Sequence, residues 1–493
     1  MLKASMKLFS GSLLGKLAGA LREVLLAGLF GTSGVVAALR AAQSATLIPV
    51  NFFTADSLSA GFLPLYSRYR KDDPHRASAL FWLVVALMAI ASVLILLLLF
   101  LGSPYWIKWL VPGFGPLERA RTVQFVQVMG LGVPFYIAGG LFSYLEMGHN
   151  SYSLASARAS LQSTGMIAGT LMAFEFHQPV MLAWGFTLAY LIFASWGLGR
   201  VMSRGWAPLP AGLSKSDFAE IGREFWRVVR PLMLLPVLLQ GNIAAERAVA
   251  SLLGIAASAS LDYAKFITDT GVLLLAVPLG LAGLSAISQM EDSQSDSLLR
   301  GLLPGLLLAT VPASVALAAH SHLVIATIYQ RGQFGPEATN LTQTILWGFA
   351  IGFWAQVVSY VLMKALSAKL RNTEVFRFMA LALATNAAIN FGLYWVLGPV
   401  VLGIGGCAYG LVLLVLSTRA LNLGRLLVGR LAWLALGSIG YGVMSIALPK
   451  EGFIALAEVA AFFLAYWAAF ITLVPSLRRD VTTAMEKLRL RNV

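Results

Sequence analysis

Apolar runs of about twenty residues, parted by short polar breaks, recur along the whole chain. A bilayer-spanning helix needs about 20 mostly apolar residues. Fourteen runs qualify: 10–31, 35–66, 79–102, 122–147, 151–175, 179–202, 227–253, 257–289, 299–328, 341–366, 376–397, 399–422, 430–448 and 452–475. The pattern predicts an all-α polytopic membrane protein with about 14 transmembrane helices. The third run contains "LFWLVVALMAIASVLILLLLF", with no charge, and reads as lipid-facing. The second and eighth are long and polar in places, so they are expected to bend or partly unwind.

The longest polar interruption is 203–226, "SRGWAPLPAGLSKSDFAEIGREFW". Pro208 and Pro210 open it, and an amphipathic surface helix is expected to follow. This suggests an N-terminal six-helix lobe (1–203), an amphipathic cytoplasmic linker (204–226), a second six-helix lobe (227–425), and two extra spans with a basic tail (426–493). A weak echo joins the lobes: "REVLLAGLFG" (22–31) resembles "ERAVASLLG" (246–254), with Glu23 and Glu246 each eight residues before a glycine. Internal repeats around a central site are a transporter architecture. Two pseudo-symmetric six-helix lobes plus two C-terminal helices are therefore expected.

Composition agrees. Of 493 residues, 58% are hydrophobic and 12% charged, against about 25% charged in soluble domains. Mean hydropathy is +0.78. The net charge of +14 could suggest nucleic acid, but the basic residues sit in short loops between spans and no soluble basic module is present. They follow the excess of Lys and Arg in cytoplasmic loops instead. "SRYRKDDPHR" (67–76), Arg200, Arg204, Lys215, Lys369, Arg371, Arg377, Arg425 and Arg430 fall in even-numbered connections or beside them. "GTSG" (31–34) and "LGP" (397–399) lie opposite and carry none. Lys108, Arg119 and Arg121, and the acidic "MEDSQSD" (290–296), depart from the rule. Both termini are expected to be cytoplasmic. The N-terminal run is interrupted by Lys16, Arg22 and Glu23, so cleavage as a signal peptide is not expected. The one cysteine, Cys407, permits no intramolecular disulfide.

The charges inside the spans carry the functional signal. Each costs roughly 2.5–3.5 kcal/mol at a bilayer centre. At 100° per residue Gly15, Lys16, Gly19, Arg22 and Glu23 fall within about 120° of arc, opposite a Leu, Val and Ala face. Arg40, Asn51 and Asp56 lie in the second span, and Asn242, Glu246 and Arg247 in the seventh. Asp262, Lys265 and Asp269 share one face of the eighth. Buried ion pairs are poor stabilisers, so these stripes imply a hydrated cavity. Lysines and arginines there select an anion, and Arg suits phosphate by bidentate bonds. The carboxylates Glu23, Asp56, Glu246, Asp262 and Asp269 would offset the positive charge or carry coupling protons or ions. Glu146 and Arg158 read as helix ends or as a pair. Asn386 and Asn390 lie one turn apart and suit a bridge between helices or a cation. His320 and His322 do not share a helical face, which argues against a metal site. No HExxH, GxSxG, Walker A or GxGxxG signal stands in a suitable context.

"LGKLAGALREVLLAGLFG" (14–31), "FLPLYSRY" (62–69), "VPGFG" (111–115) and "IYQRGQFGPEATNLT" (328–342) resemble the MurJ/MviN family of the multidrug/oligosaccharidyl-lipid/polysaccharide exporter superfamily. The resemblance covers nearly the whole chain. It implies a flippase, not an enzyme, that moves an undecaprenyl-pyrophosphate-linked glycan of the lipid II type across the bacterial inner membrane by alternating access, in support of peptidoglycan or other envelope polysaccharide synthesis. The partners implied are that glycan lipid, bilayer lipids and envelope glycan synthesis enzymes. No cofactor is implied beyond a driving force from Na+, H+ or the membrane potential. Lys16 and Arg22 match pyrophosphate-facing cations of the family, and Lys265 is the nearest match on the eighth helix. Asn51 stands where the family has an arginine, and Ala37 where it has an acidic residue. Glu246, Asn386 and Asn390 are counterparts of a sodium site in some members. The lipid tail is expected near the thirteenth and fourteenth helices. An exopolysaccharide or O-antigen repeat-unit flippase fits the same pattern. An ion-coupled drug exporter would want fewer cations in the cavity. A membrane glycosyl- or phosphotransferase would want an acidic or His cluster at the surface. A scaffold would tolerate loss of the cavity charges.

Overall fold

The computed structural model describes residues 2–54, 56–210, 212, 214–287, 292–449 and 452–480; residues 2–10, 12, 53, 56, 57, 59, 60, 231, 277–287, 292 and 293 are described in backbone only. The described residues form helices α1 (Leu2–Phe30), α2 (Gly34–Thr54), α3 (Asp56–Asp72), α4 (Pro74–Leu101), α5 (Ser103–Leu110), α6 (Pro116–Leu131), α7 (Val133–Gly148), α8 (Ser153–Glu175), α9 (Met181–Ser203), α10 (Lys215–Val229), α11 (Leu234–Leu252), α12 (Ile255–Ile287), α13 (Asp292–Ala319), α14 (Ser321–Tyr329), α15 (Pro336–Ala368), α16 (Asn372–Leu397), α17 (Val400–Ala420), α18 (Gly424–Ser445) and α19 (Phe453–Leu473). Nine of them are long and apolar enough to cross a membrane, or eleven if the bent pairs α6–α7 and α10–α11 each count as one span. The remaining three expected spans coincide with α1, α8 and α12, which hold charged or hydroxyl side chains. The second expected span is divided between α2 and α3. The eighth is one helix, α12, through Ile287.

The chain divides into two compact units, Met1–Ala259 and Ser260–Val493. In the first, α4 presents Leu87, Ile90, Val93, Leu94, Leu97, Leu98 and Leu101 outward. Only 22% of its most apolar stretch is buried, at a hydropathy of 3.2. Such a surface requires lipid. Local signals set its start: Asp73 caps α4 by accepting from the amides of His75 and Arg76, and Pro74 occupies the first turn. Helix α10 is amphipathic. Ile221, Phe225 and Val229, four residues apart, join a core with Phe62, Tyr66, Leu80 and Val84 of α3 and α4. Its polar side pairs Glu224 with Arg68 and Tyr69, and Glu220 with Arg76 at 2.8 Å. The preceding segment accepts at the Pro208 carbonyl from Ser78 and Trp82. Helix α11, although it follows this linker, packs on α2 and α5.

In the second unit α15 is the central helix, with 72% of its most apolar stretch buried. Helices α15 and α17 approach closely through small residues. A Cβ added at Gly348 would lie 2.9 Å from the Gly403 Cα. Close backbone approach of this kind replaces the hydrophobic drive that helices lack inside lipid. Of the nine candidate spans among the described residues, α19 is the least buried, at 17%.

Corresponding breaks recur along the chain. Helix α1 ends at Gly31 (φ 58°) and α11 at Gly254 (φ 121°), both left-handed positions that favour glycine. "GFGPLE" (113–118) and "GQFGPE" (332–337) each link a short helix to a long one that opens on proline. The glycine pair is offset by 223 residues and the proline pair by 220. The second of these correspondences escaped the sequence reading because the shared residues sit in loops rather than in the charged helices.

Candidate functional site

Glu23 is the hub of the first unit's charged stripe. It is 2% exposed on α1. Its Oε1 accepts from Arg22 Nη2 at 2.6 Å and Nε at 3.2 Å, while Oε2 accepts from Arg40 of α2. One carboxylate thus serves two guanidinium groups, and the trio keeps a net positive charge. Arg40 is 5% exposed, so the less enclosed Arg22 presents that charge. Neutral groups steer both arginines. Arg22 Nη1 and Gln43 Nε2 each point at the Met166 sulfur at 3.5 Å, and Arg40 Nη1 donates to Gln43 Oε1 at 3.4 Å.

Arg247 of α11 is buried. Its Nε donates to Ser44 Oγ of α2 at 3.2 Å and its Nη1 to the Ser258 carbonyl at 3.1 Å. Glu246 beside it is buried and accepts from Asn242 at 3.2 Å, one turn earlier. Lys16 is half-buried on α1. Asn51 Oδ1 accepts from Tyr136 Oη at 3.4 Å. Arg158 of α8 lies 4.5 Å from the Tyr136 ring centroid. The Asp56 side chain lies outside the described residues.

In the second unit Asp262 and Lys265 are half-buried on α12, and Asp269 is exposed. Asn386 and Asn390 are buried on α16, and Asn390 Nδ2 donates to Asn386 Oδ1 at 2.8 Å. Their position is set by α17: a Cβ at Gly405 would lie 2.5 Å from Asn390 Oδ1. Among the described residues Asn390 Oδ1 has no hydrogen-bond partner. An oxygen so placed suits a hard cation. No group of three or more His, Cys, Asp or Glu that could hold a metal occurs among the described residues.

Arg40 stood among the in-span charges of the sequence without a partner assigned to it, whereas Gln43, Tyr136, Arg158 and Met166 carried no site role there. The strongest available signal was Arg40, a charge deep in an apolar run, whereas Met166 and Tyr136 have no signature outside three dimensions. Glu146 does not pair with Arg158. It binds Arg200 at 2.7 Å, the Leu154 amide at 2.6 Å and Ser151 at 3.0 Å, closing the turn between α7 and α8. His320 contacts Tyr441 at 3.1 Å.

The family model for lipid II flippase MurJ matches residues 26–474. The chain belongs to the lipid II flippase MurJ family. Membership makes it a multi-pass inner-membrane transporter rather than an enzyme. A probable lipid II flippase MurJ of Rhizobium tropici is 25% identical over 406 residues, covering 78% of this chain and 74% of the relative. One of Synechocystis sp. is 26% identical over 449 residues, covering 86% and 81%. A solved lipid II flippase MurJ in an inward closed conformation shares the fold, with a TM-score of 0.84 at 16% identity, covering 98% of this chain and all of that one. An inward-facing multidrug-resistance MATE transporter matches less well, with a TM-score of 0.64 at 13% identity over 85% and 95%. Both likenesses concern the fold, and the family rests on the match over residues 26–474.

Proposed function

We propose that this member of the MurJ family translocates lipid II across the bacterial inner membrane. The observation that carries the reading within the chain is the Arg22–Glu23–Arg40 trio. A carboxylate shared by two guanidinium groups keeps Arg22 oriented yet leaves one positive charge for an anion. The diphosphate of a polyprenyl-linked glycan is that anion, and Arg can hold it through paired hydrogen bonds. Lys16, Asn51 and Arg247 in the first unit, and Lys265 in the second, are each assigned an anion-binding role. Glu23, Asp56 and Glu246 in the first unit, and Asp262 and Asp269 in the second, are assigned the role of moderating charge. Alternating access is the transport mode that internally repeated architecture favours. We assign the repeats to 1–203 and 227–425, and place both termini on the cytoplasmic side from the loop charges. Asn386 and Asn390 form part of a coupling-cation site, with Na+ as the cation that suits neutral amide oxygens.

Arg22→Ala tests the reading. Flipping of a labelled lipid II analogue in proteoliposomes is expected to fall at least about tenfold, the loss of one strong charge-assisted contact, at unchanged protein abundance. Undiminished flipping by that variant would remove the trio from the mechanism.

A further inference from the structure

Arg158 stands in the second turn of α8, whose only other charged residue is Glu175 at its far end. A cation inside a spanning segment is costly unless something neutralises it. The other arginines described above meet oxygen: Arg22 and Arg40 share Glu23, Arg200 meets Glu146, and Arg247 meets Ser44 and the Ser258 carbonyl. Among the described residues, no carboxylate is within ion-pairing distance of Arg158. Its guanidinium lies over the Tyr136 ring at 4.5 Å. That ring packs against Tyr190 with centroids 4.7 Å apart, and its hydroxyl is turned to Asn51. A cation–π contact holds the guanidinium plane in place but does not cancel its charge. The Tyr190 hydroxyl also accepts a hydrogen bond from the guanidinium, so the platform fixes the group through neutral partners and leaves its remaining N–H donors for an anion.

Lys16 shares the level of Arg158 in the fold. Gly15 brings α1 so near α8 that an added Cβ would lie 2.7 Å from the Ala159 Cβ. Lys16 and Arg158 are the chain neighbours of these two residues. Lys16 also has no ion pair among the described residues. It precedes Arg22 by six residues, about 9 Å of helix rise, a gap that long basic side chains can close over a diphosphate.

We propose that Arg158, held on Tyr136 and seconded by Lys16, forms a second phosphate subsite of the first unit, so that Arg22 and Arg158 each take one phosphate of a lipid diphosphate. The proposal rests on the reading of the cargo as a polyprenyl diphosphate. It explains a device that the shared-carboxylate trio does not require: a fixed, carboxylate-free guanidinium on a different helix. It makes the site count phosphates, because a monophosphate can satisfy only one of the two positions.

The test uses the full chain in neutral-lipid nanodiscs. Binding of a polyprenyl diphosphate, a polyprenyl monophosphate and a polyprenol of one chain length is measured. Arg158→Met is expected to weaken diphosphate binding about tenfold and to leave monophosphate binding within about threefold, collapsing the preference. Arg158→Lys, which keeps the charge but loses the paired donors, is expected to lie between. Wild-type diphosphate binding by R158M, alongside a loss in R22A, overturns the subsite and leaves the cargo reading standing. A wild-type protein that does not distinguish the diphosphate from the polyprenol overturns the cargo reading itself. Should R158M fail to insert, R158K decides: a reduced diphosphate preference supports the subsite, and an unchanged one overturns it.

Discussion

Glu23 is the residue on which the first unit's charge balance turns. Its carboxylate is the shared partner of two arginines, one of them almost fully enclosed. Removing one member of a buried ion group leaves charge without its partner, which destabilises by about 3–5 kcal/mol. Glu23→Ala is expected to lower the thermal midpoint of the purified protein well beyond the effect of Arg22→Ala. Equal midpoints for the two variants would contradict the shared-partner geometry. A second residue, His149, lies outside the spans. Its ring stacks on Trp206 at 4.9 Å and its Nε2 meets Tyr66 Oη at 3.0 Å. Burial, aided by the nearby Arg70 cation, pushes its pKa down to about 4, from about 6.5 in an unfolded chain. Between these values the unfolded chain binds more protons, so His149's contribution to stability is present above about pH 6.5 and is lost as the pH falls through about 4. His149→Phe should flatten the midpoint-versus-pH curve over that interval. An unaltered slope would assign the acid sensitivity to other groups.

At the scale of the element, α10 joins local signals to tertiary ones. Ser214 caps it in a reciprocal pair with Asp217, and hydrogen bonds from Ser214 hold the Asp217 carboxyl below its ordinary pKa. Ile221, Phe225 and Val229 then anchor it on α3 and α4, flanked by Glu220 and Glu224. Exposed ion pairs contribute little, so the apolar stripe is expected to dominate the docking. Ile221→Asp should open residues 203–226 to limited proteolysis, whereas Glu220→Gln should leave cleavage nearly unchanged. The reverse ranking would show that charge, not burial, fixes the linker. The same balance of local and tertiary causes explains α12. Its length and polar positions suggested bending or partial unwinding, yet backbone hydrogen bonding carries one helix from Ile255 to Ile287 past Asp262, Lys265, Asp269 and even Pro278.

For the whole molecule, the family assignment yields a measurement in cells. Depleting the protein should raise the level of undecaprenyl-linked lipid II severalfold, by mass spectrometry of extracted lipids. Accumulation of a different lipid-linked repeat unit, with lipid II constant, would redirect the cargo assignment and give Asn51 and Ala37 a specificity role. Sixteen per cent identity with a solved flippase of the same fold shows how much of the architecture survives side-chain change: helix placement follows the apolar pattern and close-approach glycines.

Much of this was determined by the sequence alone. Spans appear as apolar runs because lipid accepts few charges, and each of the fourteen runs falls on a helix or a helix pair. Lys16, Arg22, Glu23, Glu246 and Arg247 declared themselves because a charge inside such a run needs a reason. Partnership was not legible. Glu23 joins Arg40 across seventeen residues, Glu146 chose Arg200 over Arg158, and Arg158 found Tyr136. These pairings depend on which helix faces which, and on how near glycines such as Gly15 and Gly405 let the backbones come. The apolar pattern records whether a residue is in the membrane. The packing of helix on helix decides what it meets there, because contact distances of a few ångströms arise from many small side-chain volumes that no single stretch of sequence encodes.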